Sequence, residues 1–497
     1  MAARIEAEGH REMAALADVV RLFFGSAKEE EAALLALSHP DRLTVSSRVD
    51  PAVKPAEARA ASRCGRSDKR VTVTTQLEGE NPPGVTETIP LHEIRRVLKR
   101  QLYLILSQAT GRTFPWGALT GVRPTQIALQ LIGRSSPEQA VSDLFDYWLL
   151  DWSKAELAVE TALAEEKLLD RIGEGEALLY VGLPFCPGRC LYCSFITQDA
   201  QRQQESLGRY VDTVIQEARG LFDSGFYHKI AAVYYGGGTP TSLPAPLFQR
   251  YLKEVLAVTP LGDKAELTME AGRPDTIDRE KLELIRASGF NRLCINPQTM
   301  KDGTLRRIGR RHTAEETAVA FRLARSMGFS DINMDLIAGL PGEGADDLLD
   351  SLARVMALGP ESITLHTLAI KRGSYLDRLF DDRDALLPDP ALMDAVERSH
   401  DLLRKEGYRP YYLYKQKNCR SGLENTGFTR TGGSLYNVAM MSDRVPVVGL
   451  GSGSTSKAVH ELTARRIHNP KDLLVYMDRV DEQISKKRSL FLSEPQK

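Results

Sequence analysis

Three cysteines, Cys186, Cys190 and Cys193, stand in Tyr-Val-Gly-Leu-Pro-Phe-Cys-Pro-Gly-Arg-Cys-Leu-Tyr-Cys at positions 180 to 193. Thiols at CxxxCxxC spacing, directly after a short apolar strand-like run, can bind three corners of a cubic iron–sulfur cluster. Such clusters usually take four Cys thiolates. Three leave one iron open to a small molecule, which suits a reactive site rather than an electron relay. Pro187 and Gly188 favour a tight loop that turns the sulfurs inward. Tyr192, between the last two thiols, is placed to cover the cluster from water. A structural zinc ion is the competing reading. Zinc sites usually pair a CxxC with a second CxxC or a His pair, whereas here no fourth Cys or His follows nearby and His228 lies beyond a predicted helix.

Placing these groups requires a scaffold, and from Leu178 the chain alternates short apolar strands with amphipathic helices. The strands fall at 178–183, 230–235, 265–270, 292–296, 331–337 and 361–367, with helices at 203–223, 246–257, 278–288, 314–327 and 345–357. Alternating βα units predict a parallel sheet with right-handed crossovers, either an open partial barrel or a doubly wound sheet. In both, function collects at the C-terminal strand ends. Gly236-Gly237-Gly238-Thr239-Pro240 follows the second strand, where bare backbone lets a ligand approach closely. Glu270, Gln298 and Asp335 stand at or just beyond later strands, and Arg310 follows Gln298. Singly, each reads as a surface residue. Asp335 is the exception, because a carboxylate inside an apolar run needs partners if buried. Together they can bind a zwitterion carrying a ribose: an acid for an ammonium, Arg for a carboxylate, amide and acid for hydroxyls.

The rest of the chain bounds the setting. With 497 residues it holds two or three domains, divided on texture at 1–172, 173–372 and 373–497. Lys plus Arg (65) nearly balances Asp plus Glu (66), which argues against a general nucleic-acid binder. There is no long apolar run for a membrane span and no signal-like N-terminus. The clustered thiols need a reducing compartment, so a cytoplasmic location is expected. Cys64, Cys294 and Cys419 are scattered, ordinary thiols. In the first part Arg42–Val49 and Val71–Gln76 read as strands flanking a polar loop, Pro51–Arg70. Helices are predicted at His92–Ala109, Pro124–Ile132, Pro137–Trp152 and Ser153–Ile172. Beyond Gly373 a helix near Asp389–Glu406 leads to a Tyr cluster, to Tyr436-Asn437 and to a Gly/Ser run at 449–456.

The cysteine motif and Gly-Gly-Gly-Thr-Pro-Thr resemble the signatures of radical S-adenosylmethionine enzymes. Within them, the chain resembles the oxygen-independent coproporphyrinogen III oxidase (dehydrogenase) group. Met-Glu-Ala-Gly-Arg-Pro-Asp-Thr (269–276), Asn-Pro-Gln-Thr (296–299), Ile-Gly-Arg-Arg-His-Thr (308–313) and Asn-Met-Asp-Leu-Ile-Ala-Gly-Leu-Pro-Gly-Glu (333–343) extend the match. Trp-Gly-Ala-Leu-Thr-Gly-Val-Arg-Pro-Thr (116–125) and Tyr-Tyr-Leu-Tyr-Lys-Gln-Lys-Asn (411–418) point to a branch with an extra N-terminal domain. The resemblance implies an α/β fold, a partial (βα)6 barrel with an N-terminal α+β domain and a small C-terminal domain.

It also implies a [4Fe–4S] cluster on Cys186, Cys190 and Cys193, with S-adenosylmethionine on the open iron. Gly237 and Gly238 would hold the methionine end, with Thr239 and Glu270 beside it. Gln298, Arg310 and Asp335 would bind carboxylate and ribose, Ala369 the adenine, and Tyr180 and Tyr192 would lie next to cofactor and cluster. The implied reaction converts propionates of coproporphyrinogen III to vinyl groups, with a reduced donor such as flavodoxin or ferredoxin as partner. Two further readings are a haem chaperone, with His366, His312 or Cys419 as candidate ligands, and a radical enzyme on another substrate. Three positions depart from the group: Gly182 replaces a His, Phe195 a fourth Cys, and Thr455 an apolar residue near a second cofactor molecule.

Overall fold

The computed structural model describes residues 2–8, 10–24, 42–53, 69–77, 84–195, 198–223, 229–371, 373–379, 389–460 and 463–492. Most of the Pro51–Arg70 stretch, Cys64 and His228 lie outside them. The chain divides into two compact units. One holds Met1–Glu160, Leu379–Met393 and Leu413–Glu424; the other holds Thr161–Arg378, Asp394–Tyr412 and Asn425–Lys497.

In the first unit, strands β1 (Ala2–Glu8), β2 (Arg42–Asp50), β3 (Arg70–Leu77) and β4 (Gly84–Pro90) form a sheet in that order. Only the β1–β2 pairing is parallel. The two-residue period of β3 buries Val71, Val73 and Thr75 on one face. On the other, Thr72 meets Thr88 and Thr74 meets Thr86, each pair at 3.0 Å. Helices Met13–Phe24 and Ile94–Thr110 supply Leu16, Val19, Phe23, Val97 and Leu102 to the same core. The single helix predicted over Pro137–Trp152 is instead two elements: one ends at Asp146 and the next begins at Trp152. Tertiary hydrogen bonds capture the backbone between them. Ala118 N–H donates to Trp148 O (3.0 Å) and Asp151 N–H to Pro115 O (2.8 Å), and Leu149 turns into the left-handed region at φ 62°.

The second unit carries the predicted βα alternation. Strands β5 (Glu176–Leu183), β6 (Lys229–Gly237), β7 (Leu261–Glu270), β8 (Arg292–Cys294), β9 (Ile332–Ala338) and β10 (Ser362–Thr367) pair in parallel and in chain order. Helices Gln204–Phe222, Ala245–Val258, Arg279–Ala287, Ala314–Ser326 and Ala345–Leu358 connect them. A short helix, Asp302–Arg307, is added between β8 and β9. The sheet does not close on itself. With β11 (Arg409–Lys415), β12 (Glu424–Thr429), β13 (Val447–Leu450), β14 (Thr455–His460) and β15 (Thr463–His468) it runs β11-β12-β10-β9-β8-β7-β6-β5-β13-β14-β15. This is the expected partial (βα)6 barrel, extended at both edges.

The C-terminal segment also fills the barrel. Helix Leu435–Met441 sets its first N–H groups on Glu266 of β7: Leu435 N–H at 2.8 Å and Tyr436 N–H at 3.2 Å, with the Ser434 hydroxyl at 2.8 Å. A carboxylate at a helix N-terminus meets both the free donors and the dipole. The result places Tyr436 against Tyr234 at 4.6 Å between ring centroids, with Tyr180 beside both, 6.4 Å from Tyr234 and 6.3 Å from Tyr436.

Candidate active site

The cysteine loop is closed at its base by backbone. Phe185–Cys186 pairs in parallel with Gln198–Asp199; Gln198 N–H donates to Pro184 O (2.7 Å) and Ala200 N–H to Cys186 O (2.9 Å). Inside the loop Cys193 N–H donates to Cys190 O (3.1 Å). The three thiols occupy different electrostatic environments. Burial pushes Cys186 up to about 12, although Thr239 Oγ1 lies 3.5 Å from its sulfur. Burial raises Cys193 as well. At Cys190 burial acts in the same direction, but the guanidinium groups of Arg310 and Arg273 outweigh it and hold the thiol below its ordinary value. The chain thus stabilises one thiolate with its own cations. Among the described residues no three metal-binding side chains converge on a single point. A cube asks for something different, since each thiolate takes its own iron.

Arg310 reaches this loop because Arg310 N–H bonds Leu305 O (2.8 Å) and fixes the turn after Asp302–Arg307. Its Nη1 donates to Asn296 O (2.6 Å) and Gly272 O (3.1 Å), while its buried Nε has no partner within the protein. Burial raises the Tyr192 hydroxyl beside Cys190 and Arg310. The structure therefore groups Tyr192 and Arg310 with the cysteines.

A second group sits at the C-terminal ends of β5, β6 and β7. Tyr234 donates to Glu270 Oε2 at 2.9 Å, and Asn296 Nδ2 approaches Glu270 Oε1 at 3.4 Å. Glu270 keeps some surface toward the open mouth, yet burial and then the charge of Asp335 push its carboxyl up to about 7. The glycines serve packing as much as recognition. A Cβ on Gly238 would stand 2.3 Å from Phe185 O, and one on Gly236 would stand 2.8 Å from Glu270 Oε2. Gly237 has φ 101°, a region L side chains rarely adopt. At Gly238 the missing side chain thus also makes room for the neighbouring strand.

The third group joins β8 and β9. Gln298 has φ 69°, unusual for a non-glycine residue. It is held there by Gln298 N–H to Asp335 O (2.9 Å) and Ile337 N–H to Gln298 O (2.9 Å), leaving its buried Oε1 unpartnered. Burial alone would raise the Asp335 carboxyl. His366 at 3.6 Å and Asn333 Nδ2 donating at 2.7 Å hold it below its ordinary value instead. Ala369 is buried just past β10 and joins the others only through that strand.

Four contributors escaped the sequence reading. Arg273, 3% exposed, reaches Cys190 Sγ at 4.0 Å while its other nitrogens bind Asp275 at 2.8 and 2.9 Å. Tyr234 and Tyr436 complete the ring stack, and Asn296 links the Arg310 and Glu270 groups. The signal available was position: Arg273 and Asn296 lie two or three residues from Glu270 and Gln298, on the same strand-end loops.

Comparison with known proteins agrees with this geometry. The Radical SAM superfamily profile matches residues 180–355. The oxygen-independent coproporphyrinogen-III oxidase-like protein HemZ of Bacillus subtilis is 35% identical over 454 residues, covering 87% of this chain and 90% of its own. The heme chaperone HemW of Escherichia coli is 32% identical over 234 residues, covering 47% and 60%. Coproporphyrinogen III oxidase (HemN) of Escherichia coli, solved as a radical SAM enzyme, superimposes with a TM-score of 0.51 at 26% identity, covering 65% of this chain and 73% of its own. The chain belongs to the coproporphyrinogen-III oxidase-like family of radical SAM proteins.

Proteins of this superfamily use a [4Fe–4S] cluster and S-adenosylmethionine. The residues present fit both. Gln298 Oε1, Arg310 Nε and Asn296 Oδ1 are buried polar atoms without partners in the protein, and such atoms are rare unless something else satisfies them. Among the described residues no helix is long and apolar enough to cross a membrane.

Proposed function

We propose that this protein carries out oxygen-independent oxidative decarboxylation of coproporphyrinogen III propionates to vinyl groups, giving protoporphyrinogen IX. The supporting observation is collinearity. The oxidase-like relative matches across 90% of its length and 87% of this chain, which takes in at least part of the N-terminal unit, whereas the chaperone relative matches over about half of this chain. When bound, the cluster and S-adenosylmethionine supply a 5′-deoxyadenosyl radical able to remove hydrogen from an unactivated carbon.

The chain's residues then have these roles. Cys186, Cys190 and Cys193 hold the cluster, Arg310 and Arg273 favour the Cys190 thiolate, and Tyr192 shields the loop. Thr239, Gly237 and Gly238 shape the floor of the cofactor site, and Glu270 receives an ammonium. Gln298 and Asp335 accept from hydroxyls, Tyr180 borders the cofactor and Ala369 abuts the adenine. The Tyr180–Tyr234–Tyr436 stack keeps water from the barrel, as a reactive radical requires. Of the three proposed domains, 1–172, 173–372 and 373–497, the last serves the substrate side, as the place of Tyr436 supports.

The chaperone reading draws support from the 32% identity to HemW. Its candidate ligands are poorly placed, however. The His312 ring is fully buried, His366 lies between Asp335 and Asn425, and the Cys419 thiol is buried. An anaerobic assay with reconstituted protein, dithionite, S-adenosylmethionine and coproporphyrinogen III separates the two. Protoporphyrinogen and 5′-deoxyadenosine are expected together. Cofactor cleavage without porphyrinogen turnover, alongside tight haem binding, would sink the oxidase reading.

A further inference from the structure

An open cleft of about 750 Å³ lies against the outer side of the cysteine loop. Five arginines line it, Arg189, Arg202, Arg306, Arg310 and Arg311, against the single carboxylate of Asp199. That concentration is unlike the chain as a whole, whose formal charge is −1. Asp199 lies 3.9 Å from Arg202. Arg306 and Arg311 are exposed, and their side chains make no hydrogen bond or ion pair with another described residue. Arg189 is spent on structure: it donates to Gly373 O at 2.7 Å and lies over the Tyr375 ring at 4.9 Å.

The cleft floor is backbone of the cluster loop. Gly188 lines it, and Gly309 presses so closely on the loop that an added Cβ would stand 3.1 Å from Arg189 O. Arg310 runs from this floor to Cys190. Of the residues assigned above to S-adenosylmethionine, only Arg310 lines it; Gly237, Glu270, Gln298 and Asp335 all face elsewhere. The cleft therefore borders the cysteine loop and, Arg310 apart, not the strand-end residues assigned to S-adenosylmethionine.

From this geometry we infer that the arginine cleft docks the protein that delivers electrons to the cluster, and that this partner presents an acidic face. A small-molecule site is mostly apolar with a few polar groups; a porphyrinogen's carboxylates could pair with these arginines, but its ring would find only Tyr375 to pack against here. Transient redox encounters instead use small, polar interfaces, and opposite charge raises their association rate 10- to about 1,000-fold in a salt-dependent way. The step is a single-electron transfer: the donor loses one electron, the cluster gains it, and no bond forms or breaks. The inference rests on the cluster, not on the identity of the porphyrinogen.

The test is the full-length protein carrying Arg306→Glu and Arg311→Glu, neither of which holds cluster or cofactor. Reduced flavodoxin, an acidic flavoprotein, is the probe, and dithionite the small reductant that needs no docking. At low salt the second-order rate of cluster reduction by flavodoxin should fall at least about tenfold. Binding of oxidised flavodoxin, followed by flavin fluorescence without turnover, should weaken in parallel, and the salt dependence of both should flatten. Reduction by dithionite should be unchanged. Equal losses with dithionite, unchanged flavodoxin binding, or loss of porphyrinogen turnover under dithionite alone would each overturn the inference. Failure of the oxidase reading looks different: wild-type protein reduced by flavodoxin, cleaving S-adenosylmethionine, yet leaving the porphyrinogen intact.

Discussion

Two buried polar clusters in the second unit look alike in composition and differ in closure. Around Glu217, Oε2 accepts from Tyr476 (2.7 Å) and Gly451 N–H (2.9 Å), and Oε1 from Asn469 (2.9 Å) and Lys487 (2.5 Å). Carboxylate and ammonium are both fully buried. Near the cysteine loop Arg310, Arg273, Asn296 and Gln298 are buried too, but Arg310 Nε, Asn296 Oδ1 and Gln298 Oε1 have no partner. An unpaired buried polar atom costs about 1–3 kcal/mol. The first cluster satisfies its charges within the chain, leaving only the amide oxygen of Asn469 without a partner, and holds strand edge to helix. The second leaves three such atoms, a donor and two acceptors, for a ligand to complete, so the number of missing partners separates scaffold from site better than residue type does.

The sharpest break is Cys190→Ala. It should abolish the cluster, read as loss of iron and of the brown absorbance; an unchanged spectrum would refute the ligand assignment. Next is Lys487→Met, which strands the Glu217 carboxylate. Removing one partner of a buried pair costs about 3–5 kcal/mol, expected as an earlier unfolding transition in urea without a change in S-adenosylmethionine affinity. If affinity falls and stability holds, the two clusters have been assigned the wrong way round.

Glu270 lends a smaller, pH-dependent effect. Folding raises its carboxyl from 4.5 to about 7, so between those values the folded protein binds more protons than the unfolded chain and stability falls as pH rises. Ligand-free protein should lose about 1–2 kcal/mol across pH 4.5 to 7, after allowance for the surface Glu270 keeps toward the mouth. Glu270→Gln should flatten that slope; an identical slope in the variant would discredit the assignment. Gln298→Met removes an unpartnered oxygen from the site. It should weaken S-adenosylmethionine binding about tenfold, near 1.4 kcal/mol, with the urea midpoint of ligand-free protein unchanged, which equilibrium dialysis and denaturation can check together. Smallest is Phe195→Cys. At 62% exposure the position faces solvent, so iron content should stay at that of one cluster per chain; added iron would mean the loop accepts a fourth ligand.

How much of this was legible in the sequence follows from how local each signal is. The six barrel strands could be read because each apolar run is bounded by its own helix. Short β8 kept its place although only Arg292–Cys294 pairs as strand. The break near Trp148 could not be read, since residues 115–118 cause it from outside the helix. The cysteines announced themselves by spacing, and Glu270, Gln298 and Asp335 by strand ends. Tyr436 gave no such sign, because what brings it to Tyr234 is Glu266, distant in sequence and joined only through the folded helix end. Gly182 shows the reverse. Its departure from the group's His has a local cause, as a Cβ there would stand 3.1 Å from the Tyr180 ring and 3.2 Å from Leu450 O.

The backbone clasp at Phe185–Cys186 and Gln198–Asp199 bears on the life of the protein after assembly. In small zinc domains metal affinity and folding are one free energy, so losing the ion unfolds the chain. Here the cradle is fastened by peptide groups at its base, and the barrel beneath stands on its own core. Loss of the inorganic centre should therefore leave the barrel folded, with the cysteine loop still fastened at its base.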